Sequence, residues 1–161
     1  MRTTPAQRLM DALAPVRRRD YPALAKRAGV VVREIERAAD GTQLRPGQFL
    51  KLCAALGIKA GTGERVPPRR LGEFDWGMFR LGVEMRRRLS KKMNMRQAVA
   101  AIGHRVGLST MSRVANAKPV SINSVIAICE WIGTSPEQYC ADPNAPMFHV
   151  ETKSQTNEVA A

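Results

Sequence analysis

The sequence predicts an all-α fold built from two small helical units, and three observations carry the prediction. Apolar residues recur at three- and four-residue spacing along most of the chain, with no convincing alternation of period two. Several of these positions recur 76 residues later without a gap. Between the two copies lies Lys59 to Arg70, whose Gly61, Gly63, Pro67 and Pro68 mark a linker. The chain has 161 residues and an apolar share of 44%, enough for a folded core and too much for disorder throughout.

In the first unit, Leu9, Leu13 and Val16 open an amphipathic segment that Pro15 kinks or ends. Asp20 is placed as the cap of a second helix, with Pro22 in its first turn and Leu24, Ala25 and Ala28 inward. Gly29 supplies the next turn. A third helix over 31–39 turns Ile35 inward and is closed by Asp40-Gly41. A fourth starts near Pro46 and puts Phe49, Leu52, Cys53 and Leu56 on one face.

In the second unit, Met78, Leu81, Met85 and Leu89 mark the inner stripe of a longer first helix, with Arg80, Arg86, Arg87 and Arg88 off it. The second helix runs from Met95 to Gly103 and the third from Leu108 to Asn116. Ser121 caps a fourth, lined inside by Ile122, Val125, Cys129 and Ile132, and Ser135-Pro136-Glu137-Gln138 reads as a capping box opening one more turn. The repeat sets Val30 beside Val106, Ile35 beside Met111, Arg37 beside Arg113 and Leu52-Cys53 beside Ile128-Cys129. It also sets Leu9 beside Met85 and Leu13 beside Leu89. The units are therefore placed at 1–58 and 75–140, joined by a linker at 59–74, with a polar tail at 141–161 predicted to be disordered.

Charge narrows the function. The net charge is +12, and 19 of the 26 cations are Arg, whose flat fork suits phosphate and guanine edges. Residues 1–70 carry 15 cations and 6 anions, residues 71–118 carry 10 and 3, and residues 119–161 carry 1 and 5. The binding charge thus belongs to the first 118 residues and points to a polyanionic partner. Cys53, Cys129 and Cys140 form no C-x-x-C pair, and His104 and His149 have no ligand-spaced company, so no metal or cofactor is expected. The sequence has no Gly-rich phosphate loop, nucleophile elbow or H-E-x-x-H, so an enzyme is not expected either. No apolar run reaches the roughly 20 residues of a membrane span. The first residues lack a secretory signal, which places the protein in the cytoplasm, associated with the nucleoid.

At Leu24-Ala25-Lys26-Arg27-Ala28-Gly29-Val30, then Ile35-Glu36-Arg37 and Gly41, the sequence resembles the lambda-repressor-like (Xre/Cro type) helix-turn-helix family. Gly107-Leu108-Ser109-Thr110-Met111-Ser112-Arg113-Val114 is similar to the Ser/Thr-rich recognition helix of that family, and Ser121 to Tyr139 to its last two helices. The resemblance implies two four- to five-helix helix-turn-helix domains in tandem. It departs from the family where Arg105 replaces the turn Gly, Ala117 the closing Gly, and Val31-Val32 the usual small polar residues.

The resemblance implies a sequence-specific transcriptional regulator, a repressor by family type, that lays two recognition helices in the major groove of double-stranded DNA. Arg33, Glu34, Glu36 and Arg37 in the first unit, and Ser109, Thr110, Ser112 and Arg113 in the second, are the candidate groove residues. Arg105 and Lys118 are candidate phosphate contacts. Val31-Val32 makes the second unit the better candidate for base readout. A homodimer, with Trp131 and the last turn as its surface, is one expected partner. The alternative function is a protein-interaction module, an anti-activator or antitoxin-like adaptor, that uses the same scaffold to hold a regulatory protein.

Overall fold

A computed structural model describes residues 3–144. Among the described residues eight α-helices follow one another: α1 (Pro5–Leu13), α2 (Tyr21–Ala28), α3 (Val32–Ala39), α4 (Pro46–Ala55), α5 (Trp76–Leu89), α6 (Met95–Ala101), α7 (Leu108–Ala115) and α8 (Ile122–Ile132). Short 3₁₀ turns occupy Arg18–Asp20 and Pro136–Tyr139. Among the described residues, extended pairing is limited to two single antiparallel bridges, Ile58 with Arg65 and Phe74 with Cys140. No described helix is long and apolar enough to cross a membrane. Most of the tail predicted to be disordered, from residue 145 on, lies outside the described residues.

The helix starts follow local chemistry. The Thr4 hydroxyl accepts from the Gln7 N–H, the Asp75 carboxylate from Met78 and the Ser121 hydroxyl from Ser124. Asn94 and Gln97 form a reciprocal capping box on α6. Two caps proposed from sequence are corrected. Asp20 is itself helical, at φ −94 and ψ −4, because the preceding 3₁₀ turn runs straight into α2, and its side chain caps nothing. Ser135 makes no capping bond with its side chain; its carbonyl accepts from Gln138 at 3.1 Å, which tightens the segment into a 3₁₀ turn.

The 76-residue repeat holds from the third helix of each unit onward. Ile35 and Met111, Ala38 and Val114, Phe49 and Val125, Leu52 and Ile128, and Cys53 and Cys129 are all buried in pairs. Gly41, at φ +77, and Ala117, at φ +53, close the two third helices in the same left-handed conformation. Upstream the register slips. Gly29 ends α2 in the left-handed region, with Val30 N–H reaching the Ala25 carbonyl. Gly103 does the same after α6, with His104 N–H reaching Val99. Two more residues then separate Gly103 from α7 than separate Gly29 from α3.

The first helices are related differently again, and here the sequence reading is overturned. Met78, Leu81, Met85 and Leu89 do not face inward; they are 54, 45, 62 and 80% exposed. The inward residues of α5 are Phe79 and Val83, which pack where Leu9 and Leu13 pack in α1. Both sets repeat at helical spacing, so periodicity alone does not choose between them. The choice is made by aromatic packing: Phe79 sits edge-on to Phe74 and Tyr139, with ring centroids 5.6 and 5.2 Å apart.

Helices α4 and α8 join the halves. Every residue of α4 except Gln48 is buried, and α8 buries Ile122 and Val125 to Cys129. A helix apolar over most of its surface needs cover over most of it. Each is covered by its own unit and by the other helix, and one continuous core results.

Residues 59–74 pack against both halves. Ala60 is buried; its N–H donates to Glu137 Oε1 at 2.9 Å, while its carbonyl and that of Gly61 accept from the Arg8 guanidinium. Gly72 N–H donates to the Ala141 carbonyl at 2.7 Å, and Ala141 N–H to Glu73 at 2.9 Å. A side chain at position 72 would meet that Ala141 carbonyl at 2.7 Å, which explains glycine there. Lys51, buried in α4, reaches the exposed Glu73 carboxylate.

Two substitutions test this account. Glu137→Ala leaves the buried Ala60 N–H without an acceptor and is expected to cost about 1–3 kcal/mol in urea unfolding. Glu137→Gln keeps an acceptor oxygen and should recover most of that loss. Ala117→Gly should raise stability by about 0.5–1 kcal/mol, since relief of left-handed strain exceeds the added backbone freedom.

Candidate functional site

On α3, the side chains of Arg33, Glu36 and Arg37 are exposed, opposite the buried Ile35 and Ala38. Helix α2 packs on α3 from behind and closes with Gly29, which turns the chain sharply enough for α3 to project. Among the described residues, Arg33 and Arg37 have no carboxylate within ion-pair distance. Glu34 differs: it is half-buried and accepts from the Val31 N–H at 3.3 Å, so it serves the start of its own helix. Val31 stands at that start with 63% of its surface exposed.

On α7, Ser109 and Ser112 are exposed and Thr110 is half-buried, opposite Met111 and Val114. Arg113 folds along its own helix end, where Nε and Nη2 donate to the Pro119 carbonyl at 3.1 and 3.0 Å. Arg105, in the α6–α7 turn, donates to Glu130 of α8 at 2.6 Å and to the Ile102 carbonyl. Lys118 is exposed beside Ala117. Thus Ser109, Ser112 and Lys118 lie open to solvent around α7, while Arg105 and Arg113 are held by the protein itself.

One feature escaped the sequence reading: like surfaces of the two halves meet. Gln43, Leu44 and Arg45 line a cleft of about 730 Å³ together with Pro119, Val120 and Ser121, their own counterparts at 76 residues' distance. Thr4 and Ala6, at the start of α1, share a pocket with Ile122 and Asn123 of α8. Phe74 and Trp76, at the start of α5, share the cleft with Pro46 and Gly47 of α4. Like-on-like contact is what a two-fold relation produces, whereas a head-to-tail arrangement brings unlike patches together. The repeat could have announced which loops are equivalent; that they touch depends on α4 meeting α8.

No described group of His, Cys, Asp or Glu is arranged to hold a metal ion. The thiols are held in their protonated form by burial. Burial, with the nearby Glu137 charge adding to it, pushes the Cys53 thiol far above its ordinary value. Burial likewise pushes Cys129 up to about 12, and Cys140 to about 12. The thiolate is the nucleophilic form, and burial disfavours it at all three positions.

No protein-family model matches the chain, and neither a curated protein nor a solved structure is similar to it at a significant level.

The thiols yield a pH prediction. Folded Cys53 and Cys129 hold their protons more tightly than in the unfolded chain, where the ordinary value is 9.0. Their contribution is complete below about pH 9 and is lost as pH rises beyond it. The urea midpoint should fall between about pH 8 and pH 10.5. It should fall less steeply in a Cys53→Ala, Cys129→Ala double variant.

Proposed function

We propose that the protein is a sequence-specific double-stranded DNA-binding regulator in which α3 and α7 enter the major groove. The observation that carries this reading is the pairing of like with like: two matching helix-turn-helix pairs, α2–α3 and α6–α7, in halves joined through α4 and α8. Dimeric helix-turn-helix readers reach the same end with two chains, placing recognition helices about 34 Å apart on a palindromic site. Here one chain supplies both readers. Because their side chains differ, the matching site is an imperfect inverted repeat.

Each half has its own task in this reading. Arg33 and Arg37 are free to reach guanine edges or phosphates, so the first half carries the charged readout. Ser109 and Ser112 hydrogen-bond bases in the second half. Lys118 contacts phosphate, and Arg105 does so once it leaves Glu130. The net positive charge of residues 1–118 supplies the affinity that depends on salt. A regulator of this kind works at the nucleoid.

One observation favours a second reading. Val31 and Leu108, exposed at 63 and 46%, stand at the starts of α3 and α7, where base edges would be met. Apolar side chains there suit the interaction module, which grips a regulatory protein instead of DNA.

Selection of bound duplexes from a random pool separates the two. The wild type is expected to yield an inverted-repeat consensus and binding that weakens steeply with salt. Arg37→Ala should lose discrimination worth about 1–3 kcal/mol at one half of that consensus. Arg113→Ala should change it little, since Arg113 is held by Pro119. Equal affinity for selected and scrambled duplexes would overturn the proposal.

A further inference from the structure

We propose that the exposed face of α5 is a docking surface for a second copy of this chain, packed antiparallel about a two-fold axis. Met78, Leu81, Met85 and Leu89 recur at intervals of three, four and four and lie on one side of the helix, opposite Phe79 and Val83. The stripe runs for about 16 Å along the helix. Single exposed apolar residues are ordinary; a row of four large ones along one helix face marks an interaction site.

The fold itself does not require the stripe. Superposing the buried pair Phe79 and Val83 on Leu9 and Leu13 sets Met78 beside Arg8 and Leu81 beside Asp11. The corresponding face of α1 is therefore charged where that of α5 is apolar. The two first helices hold the same place in their units, and only one of them carries an apolar outer face.

Spacing and charge select the occupant. In an antiparallel pair, residues meet whose numbers add to the same sum to within about one residue. Met78 then faces Leu89 of the other copy and Leu81 faces its Met85, so the stripe is complementary to itself. The ends agree. Arg88, Lys91 and Lys92 are exposed at the C-terminal end, with no carboxylate within ion-pair distance among the described residues; at the N-terminal end Glu73, which also reaches Lys51, and Asp75, which also caps α5, are exposed. Antiparallel docking brings each cationic end to the other copy's acidic end and opposes the helix dipoles favourably. A parallel pair would stack the cationic ends together. Trp131, read from sequence as a dimer contact, is occupied on its own chain, where the Arg86 guanidinium lies 5.9 Å from its ring centroid.

Sedimentation equilibrium on the full chain, from about 1 to 100 µM, tests the proposal. The wild type is expected to shift from 17.8 kDa toward twice that mass. Leu81→Glu, Met85→Glu should associate at least about tenfold more weakly with an unchanged helical circular dichroism spectrum, because both positions face solvent in the single chain. Orientation is read by mixing Leu81→Cys chains with Met85→Cys chains under mild oxidation. A mixed disulfide is expected to outweigh the Leu81→Cys homodimer. A wild type that stays monomeric at the highest concentration overturns the proposal, as does a dimer indifferent to the charged pair. A preponderance of the Leu81→Cys homodimer overturns the antiparallel arrangement.

Discussion

The burial of α4 against α8 is the constraint on which the rest of the molecule depends. Each helix is apolar around most of its circumference, so neither half can bury its own last helix alone. Phe49, Leu52 and Cys53 fill the first half and Val125, Ile128 and Cys129 the second, while the remaining sides of the two helices close on each other. Once that contact forms, the loops before α4 and α8 come side by side, and the starts of α1 and α5 are carried onto the opposite half. The positions of α3 and α7 relative to each other follow from this contact through the helices bound to them.

Polar groups then lock the arrangement. Glu137 and Lys51 are charged and almost wholly buried, and each has a partner from a distant part of the sequence, Ala60 N–H and Glu73 respectively. Burial of a charge is tolerated only where such a partner exists, so these contacts specify where residues 59–74 run. That segment has the glycines and prolines of a linker, yet Ala60, Leu71 and Phe74 are core residues.

Much of the helical architecture was legible in the sequence, because α3 and α7 each have one apolar face, and α4 and α8 are apolar runs bounded by Pro46, Gly57, Ser121 and Gly133. Gly41 and Ala117 occupy matching closures, and even the replacement of Gly by Ala leaves the backbone conformation in place. Helix α5 was read inside out since it carries two apolar faces, and only the contact of Phe79 with Phe74 and Tyr139 decides between them. The candidate site was legible only as a set of helix faces. That Arg37 stands free while Arg113 is tied down turns on the Pro119 carbonyl, and Arg105 is tied by Glu130, 25 residues away. No local pattern records such partners.

The clasp between Ala60 and Glu137 also sets an order on synthesis. The two residues are 77 positions apart, and the strand-like contact of Gly72 with Ala141 closes later still. A ribosome has therefore made nearly all of the described chain before the first half finds the last of its partners. Until then α4 has an uncovered apolar side, and a nascent chain arrested before α8 would present that side to chaperones.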